Sequence, residues 1–391
     1  MKKTIAKRFF IEWSLLLPYL ALCIMGILMI YSASSYKLMV SGSDPLSKAF
    51  NQCISFAISL LLVFIVYHVN LDHMNNKKIA TIFLSVTLLL LFVVIIAGRH
   101  AGGAQRWISI GFFKFQPSEL VPLIIVYYLS VIFSERKFNE PISLRKTKKP
   151  LLFCLLLVAV VTLQPNVAGG IMILLVILAL LLANGFTPGI TAAILIGMIG
   201  FRQLSIWIVE TTNLSWLPKK FGYLASRFQV MQNPFKDPTG KGFQTSNAYI
   251  AMYNGGWFGR GIGNSIQKKG YVPAADTDFI FAICMEELGL VGVLLMLALV
   301  FFMVLRLFQL GIKSRNLFHS NLLIGCGTIL LLQIGVNVGS ILGYIPMTGV
   351  TFPFISYGGS SLLILSLVIG LALNICGTEK RQRWEGRNTT K

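Results

Sequence analysis

The sequence predicts an all-α fold, a polytopic bundle of about ten transmembrane helices, with both termini cytoplasmic and a long extracytoplasmic loop between spans seven and eight. Three observations predict it. Apolar residues make up 55% of the 391 residues and charged ones only 12%, about half the charged share of a soluble domain. Apolar runs of roughly 18 to 22 residues recur along the chain, the length that crosses about 30 Å of hydrocarbon. Lysines and arginines gather in alternate connecting segments rather than along one face, which is the signature of a membrane topology and not of a nucleic-acid surface. The formal charge of +20 therefore implies no nucleic-acid partner.

Candidate spans fall near 14–34, 52–69, 79–98, 118–134, 150–164, 168–184, 188–208, 280–308, 321–342 and 358–377. The first follows Lys2, Lys3, Lys7 and Arg8 and resembles a signal peptide, but its length predicts a retained signal anchor. The fifth and sixth are separated only by Gln164-Pro165-Asn166, which predicts a tight helical hairpin. Arg202 interrupts the seventh. With the N-terminus inside, the inner segments hold about four times as many cations as the short outer loops, which contain only Lys37, Lys48, Arg99, Arg106 and Lys114. The chain reads as a single membrane domain, 1–391, with a large outer loop at 209–278 and a basic tail at 379–391. The six cysteines lie in or beside apolar stretches without ligand spacing and read as small hydrophobes. The four histidines show no metal-ligand pattern either.

Ionisable groups near a bilayer cost at least about 2.5 kcal/mol at its centre, so each needs a reason. Arg106 and Lys114 sit on the outer side against the charge bias, followed by Pro117 and Glu119 at a helix start. Pro and an acid there suit ordinary helix initiation; the two cations fit an anionic-ligand site or simple ion pairing equally well. Gln333, Asn337 and Ser340 share one helical face, and such a face glues helices or lines a wet cavity. The stretch Pro346 to Ser361 carries no charge, and its prolines and glycines must shape backbone. Gly255 to Asn264, beside Arg260, Lys268 and Lys269, fits either a pyrophosphate cradle or a re-entrant loop with interfacial cations. Asp276-Thr277-Asp278 precedes the eighth span, where capping is the plain expectation.

Taken together, Gly103 to Glu119, Leu163 to Asn166, Asn247 to Asn264, Thr277-Asp278-Phe279-Ile280-Phe281 with Glu286-Glu287-Leu288-Gly289, and Pro346 to Ser361 resemble the SEDS family of cell-wall polymerases, the FtsW/RodA/SpoVE group. Gly261 to Lys268 is most similar to the FtsW division branch. The resemblance implies a peptidoglycan glycosyltransferase acting on lipid II beside a class B penicillin-binding protein and other divisome membrane proteins. It also implies that Asp278 is the essential catalytic residue and that Arg106, Lys114 and Glu119 match positions needed for function. Two departures stand out. Pro273-Ala274-Ala275-Asp276 replaces the family's P-E-x-H, and Asn166 stands where the family commonly has Asp.

Transfer of a sugar from a lipid diphosphate needs a base and an anion clamp. Asp278 is assigned the base. Substrate-binding candidates are Arg106, Lys114, Glu119, Arg260, Lys268, Gln333, Asn337, Ser356 and Ser360. No residue is assigned to a metal and no covalent cofactor is expected, although a divalent cation, Mg or Mn, would suit the departing diphosphate. Two other classes compete, a lipid II flippase and a non-catalytic division scaffold.

Overall fold

In hydrocarbon a backbone amide must find its partner inside the protein, so long apolar runs become helices. The computed structural model places them over nearly every run that hydropathy selects. It describes residues 7–101, 104–110, 113–135, 144–185 and 222–389, with six isolated residues between 189 and 203. The helices are α1 (Trp13–Val40), α2 (Ser47–His68), the single turn α3 (Leu71–Met74), α4 (Lys77–Ala97), α5 (Pro117–Ser134) and α6 (Leu144–Leu163). They continue with α7 (Val167–Ala183), α8 (Gly222–Gln232), α9 (Phe243–Gly255), α10 (Ile280–Lys313), α11 (Leu317–Ile341) and α12 (Gly359–Thr389). Among the described residues seven helices are long and apolar enough to cross a membrane, namely α1, α2, α4, α5, α10, α11 and α12, and α7 is a shorter apolar helix. The expected seventh span at 188–208, with Arg202, lies outside the described residues but for isolated positions.

Polar contacts sort the bundle into two ends. At the first, the chain's beginning meets its tail. Glu12 accepts from Arg306 at 2.9 Å and from Lys380 at 2.7 Å, and the Phe10 and Trp384 rings pack at 6.4 Å. The Tyr67 hydroxyl at the close of α2 donates to the Lys7 carbonyl at 2.8 Å. Asn184, just past α7, donates to Asn321 near the start of α11 at 2.7 Å. At the opposite end lie the starts of α2, α5, α7, α10 and α12. There Arg106 bonds to the α6–α7 turn, Gln116 to Ser360 and Lys48 to Asp276. α8 and α9 belong to this end as well, since Tyr249 packs on Gly343 just beyond α11.

A small sheet, absent from the sequence expectation, also lies at this end. Strands β1 (Arg99–Ala101), β2 (Ala104–Ile110) and β3 (Phe113–Phe115) form an antiparallel meander in the order β1-β2-β3. Ser109 pairs with Lys114 and Ile108 with Phe115. The alternating residues of Gln105-Arg106-Trp107-Ile108 are a strand pattern, but strands of three to seven residues are too brief to stand out beside the helical runs.

One helix is broken inside the bundle. Gly289 in α10 has φ 71°, a left-handed value that glycine adopts without steric cost. It lies nine residues past the helix start, roughly 13 Å along the axis. The glycine loop after α9 fills the break. Arg260 N donates to the Glu286 carbonyl at 2.9 Å, Gly261 N to the Glu287 carbonyl at 3.0 Å, and Leu290 N to the Gly256 carbonyl at 2.9 Å. A Cβ at Gly259 would sit 2.2 Å from the Glu287 carbonyl oxygen, so backbones meet here with no room for a side chain. α9 and this loop therefore pack as a hairpin against the break in α10, and the loop is no dinucleotide fingerprint.

The clamp between the two chain ends is sensitive to acid. Burial alone would raise the Glu12 carboxyl, but hydrogen bonds from Lys380, Ser14 and Arg306 outweigh it and bring the pKa from 4.5 to about 2. A depressed folded pKa contributes stability above the unfolded value and loses it as pH falls through the folded one. Glu12→Gln should thus lower the melting temperature at neutral pH, and the gap to the native protein should close between pH 4.5 and about 2. A thermal melt series in detergent reads it directly; a gap independent of pH would contradict the assignment.

Candidate active site

An acid one or two residues before a helix usually caps it, yet Asp278 does not. The N-cap of α10 is Phe279, and no side chain bonds to the helix start. The half-buried Asp278 carboxylate accepts instead from the Thr277 hydroxyl at 2.8 Å. Its backbone is pinned from two directions. Asn337 on α11 donates through Nδ2 to the Asp278 carbonyl at 3.0 Å and to the Val350 carbonyl at 2.7 Å. Ser356 donates to the Thr277 carbonyl at 2.6 Å while accepting from the Phe352 amide at 2.8 Å. The Tyr357 amide donates to the Asp276 carbonyl at 2.8 Å.

Burial pushes the Asp278 carboxyl above the ordinary aspartate range. The Thr277 hydroxyl, its own backbone amide and the Arg227 guanidinium oppose the shift, and Asp276 adds to it. Asp276 itself is buried and paired with Lys48, whose ammonium lies 5.5 Å from the Tyr357 ring centroid. The 350–357 segment is held in turn by the bundle core. Phe354 has φ 64°, rare for a side-chain-bearing residue and a mark of backbone held by its surroundings. Its ring meets Tyr19 edge-on at 5.3 Å, and a Cβ at Gly26 of α1 would stand 2.5 Å from its carbonyl oxygen.

The other candidates divide by location. Gln333 donates to the Ser361 hydroxyl at 3.1 Å and to the Thr351 hydroxyl at 3.3 Å, so it and Asn337 join α11 to the 350–361 segment. Ser360 accepts from the Gln116 amide at 3.1 Å and hydrogen-bonds Glu119. One Glu119 oxygen, Oε2, is buried with no hydrogen-bond partner among the described residues. Arg106 donates to the Gln164 carbonyl at 3.1 Å and to that of Pro165. Lys114 and Arg260 are exposed. Lys268 is enclosed, its ammonium 2.8 Å from Glu287 Oε1 and 2.8 Å from the Ser32 hydroxyl. Asn166, the residue at the departed aspartate position, caps α7 by accepting from the Gly169 amide at 3.1 Å.

Reading residues in sequence overlooked three groups. Arg227 reaches the field of Asp278 only because α8 folds back over this end; its one linear signal is a cation in the expected outer loop. Lys48 and Asp276 form a pair across 228 positions. Glu286 and Glu287 organise residues 265–268, through the Ile266 and Gln267 amides at 3.1 and 3.2 Å and the Ser265 amide at 3.3 Å. No three His, Cys, Asp or Glu side chains converge among the described residues, so they offer no dedicated cage for a divalent cation.

The family model described as "Cell cycle protein", that of FtsW, RodA and SpoVE, matches residues 13–381. The chain belongs to the FtsW/RodA/SpoVE family. Its relatives include the probable peptidoglycan glycosyltransferase FtsW of Enterococcus hirae, 42% identical over 95% of this chain and 94% of that one. The protein of the same name from Lactococcus lactis is 38% identical over 96% and 94%. A solved chain from a peptidoglycan synthase complex that coordinates polymerization and crosslinking has a TM-score of 0.72 at 26% identity, covering 95% of this chain and 98% of its own. RodA of Thermus thermophilus gives 0.66 at 25%, covering 94% and 96%. In this FtsW/RodA/SpoVE protein the motif around Asp278 thus coincides with backbone that Asn337, Ser356 and Tyr357 hold at three successive carbonyls.

Lys268 and Glu287 are 4% and 0% exposed, and breaking a buried pair by removing one partner costs about 3–5 kcal/mol. Lys268→Met should lower stability by that order in a denaturation series. Retained stability with weakened substrate binding would instead make Lys268 a ligand contact. Ser356→Ala should leave the melting temperature within a few degrees of native and lower turnover more than it raises KM, because it loosens the backbone that carries Asp278. An unchanged turnover number would remove Ser356 from that role.

Proposed function

We propose that this chain is a peptidoglycan glycosyltransferase that polymerises lipid II into glycan strands at the outer face of the bacterial cytoplasmic membrane, with Asp278 as general base. The observation that carries the reading is the Asp278 carboxylate, half-buried, oriented by Thr277, not spent on capping, and mounted on backbone that Asn337 and Ser356 hold. Relatives named as glycosyltransferases over nearly the whole chain support the same activity. In the short connecting segments the cations gather at the end opposite Asp278, where Lys7, Lys77, Arg306, Lys313, Arg315, Lys380, Arg381 and Arg383 stand against Lys37, Lys48, Arg106 and Lys114 at its own end. The positive-inside rule therefore puts both termini in the cytoplasm and Asp278 outside.

In the reaction the 4-hydroxyl of one sugar attacks the anomeric carbon of another that is still linked to its lipid diphosphate. The new C–O bond forms as the bond to the diphosphate oxygen breaks, and the hydroxyl proton passes to Asp278. Desolvation suits this task, since a base is most effective when its pKa approaches the working pH. Charge growing on the leaving diphosphate needs fixed cations. Arg106, Lys114, Arg260 and Arg227 are assigned that clamp, while Lys268 is left to its pair with Glu287. Mg or Mn would be carried by the diphosphate oxygens rather than held by this chain, and no step depends on it. Glu119 and Ser360 order the start of α5 beside the site; Gln333 and Asn337 brace it.

Crosslinking by a class B penicillin-binding protein is the partner activity, since the relatives' fold occurs in a synthase complex that couples the two steps. The likeness of Gly261 to Lys268 to the FtsW branch supports work at the division septum, among other divisome membrane proteins. Polymerisation of labelled lipid II by purified protein with such a partner tests the reading. Asp278→Asn should retain folding and lose at least about a hundredfold in rate, the usual share of a general base. The native acid limb should lie above the ordinary aspartate pKa of 3.8, with activity rising as pH climbs through it. Native-like polymerisation by Asp278→Asn would refute the base, and lipid II flipping without glycan product would favour a transporter.

A further inference from the structure

The end of the bundle remote from Asp278 holds a cavity that the proposed reaction does not use. It measures about 520 Å³ and lies between the close of α5, the start of α11 and the extension of α12, with Ser134, Arg315, His319, Glu379, Gln382 and Arg383 among its walls. Sites for small ligands span roughly 300–1,000 Å³.

The charges in this cavity do not cancel. Glu379 is the carboxylate in the wall and its oxygens are occupied. Oε1 takes the Ser314 hydroxyl and His319 Nδ1, the latter at 3.2 Å, and Oε2 takes Arg383 at 3.2 Å. Arg383 is thereby neutralised, but Arg315 is exposed and forms no ion pair among the described residues. Gln382 adds an amide donor that makes no hydrogen bond among those residues. Asn316 accepts from the Phe318 and His319 amides, so the positively polarised first turn of α11 also borders the space. What remains is a net positive, donor-rich recess with its own acid already satisfied. Its natural complement is a phosphate oxygen, which pairs with arginine through charge-assisted bonds.

Position narrows the source. Arg315 sits in the three-residue turn, Ser314 to Asn316, between two membrane-crossing helices, which is the level at which lipid phosphates lie. Basic pockets between helices on the cytoplasmic side are suited to anionic headgroups. We propose that this cavity binds the phosphate of an anionic phospholipid from the adjoining leaflet, with Arg315 and Gln382 as its principal contacts. The site is separate from Asp278, so its failure would leave the catalytic reading untouched.

Native mass spectrometry of the full-length protein in detergent, titrated with phosphatidylglycerol and separately with phosphatidylcholine, tests it. The native protein should retain one phosphatidylglycerol in preference to phosphatidylcholine. Arg315→Glu should weaken that retention roughly tenfold, and Gln382→Ala by a smaller factor. Lys313→Glu, an equal change of charge on an exposed neighbour outside the cavity, should have little effect. Melting temperatures confirm that each variant is folded, and Arg315 and Lys313 are exposed enough for both to be so. Equal retention of the two lipids, or equal losses in Arg315→Glu and Lys313→Glu, would overturn the proposal. Displacement of the lipid by inorganic phosphate at low millimolar concentration would assign the recess to soluble phosphate and overturn the lipid source.

Discussion

Backbone that is not helical carries amides and carbonyls that lipid cannot satisfy, and the organisation of this protein follows from how those groups are matched. Two irregular stretches enter the bundle. The first, from Gly255 to Phe279, is paired strand-like to the break in α10 at Gly289 and then to the carboxylates of Glu286 and Glu287. The second, from Leu342 to Gly358, is bound by Asn337 and Gln333 of α11 and supported by Tyr19 and Gly26 of α1. Asp278 occurs where the two meet.

That meeting explains why the Asp278 carboxylate is precise in place without being on a regular element. Its own carbonyl is held by Asn337 of α11 and that of Thr277 by Ser356 of the second stretch, each of which is itself fixed by a further bond. Rotation of Asp278 away from the site would release buried hydrogen bonds at Thr277 and Asn337 together. Each such loss leaves a desolvated partner, at about 1–3 kcal/mol. Rigidity of this kind raises the carboxyl's pKa by keeping water from it, while the Arg227 field and the Thr277 hydroxyl keep the anion accessible.

The bundle's two ends divide electrostatic labour. At the site end most acidic groups are internal partners: Asp276 for Lys48, Glu287 for Lys268, Glu286 for backbone amides. At the opposite end Glu12 ties the chain's beginning to the tail through Lys380 and to α10 through Arg306, while Glu379 joins the tail to His319 of α11. A cation such as Arg315 is left over there because the excess positive charge exceeds the carboxylates available.

The apolar runs that become helices and the unusual motifs were legible in the chain itself, because helix burial in lipid depends on length and hydropathy alone. Helices α1, α4, α5, α7 and α11 begin within a few residues of the positions that periodicity and capping select, as with Pro117 of α5. Spacing alone made Asp278 an ordinary cap, and only the family resemblance made it a candidate base. The tertiary structure removed the cap, by giving the N-cap to Phe279 and the Asp278 carbonyl to Asn337. The same holds for Lys268, which a linear reading joins to Arg260 as a clamp and the fold joins to Glu287 and Ser32. Ion pairs such as Lys48 with Asp276 connect residues too distant in sequence for spacing to register. Local composition determines which segments enter the membrane; which polar group satisfies which is set by packing, and packing is where this protein's chemistry is placed.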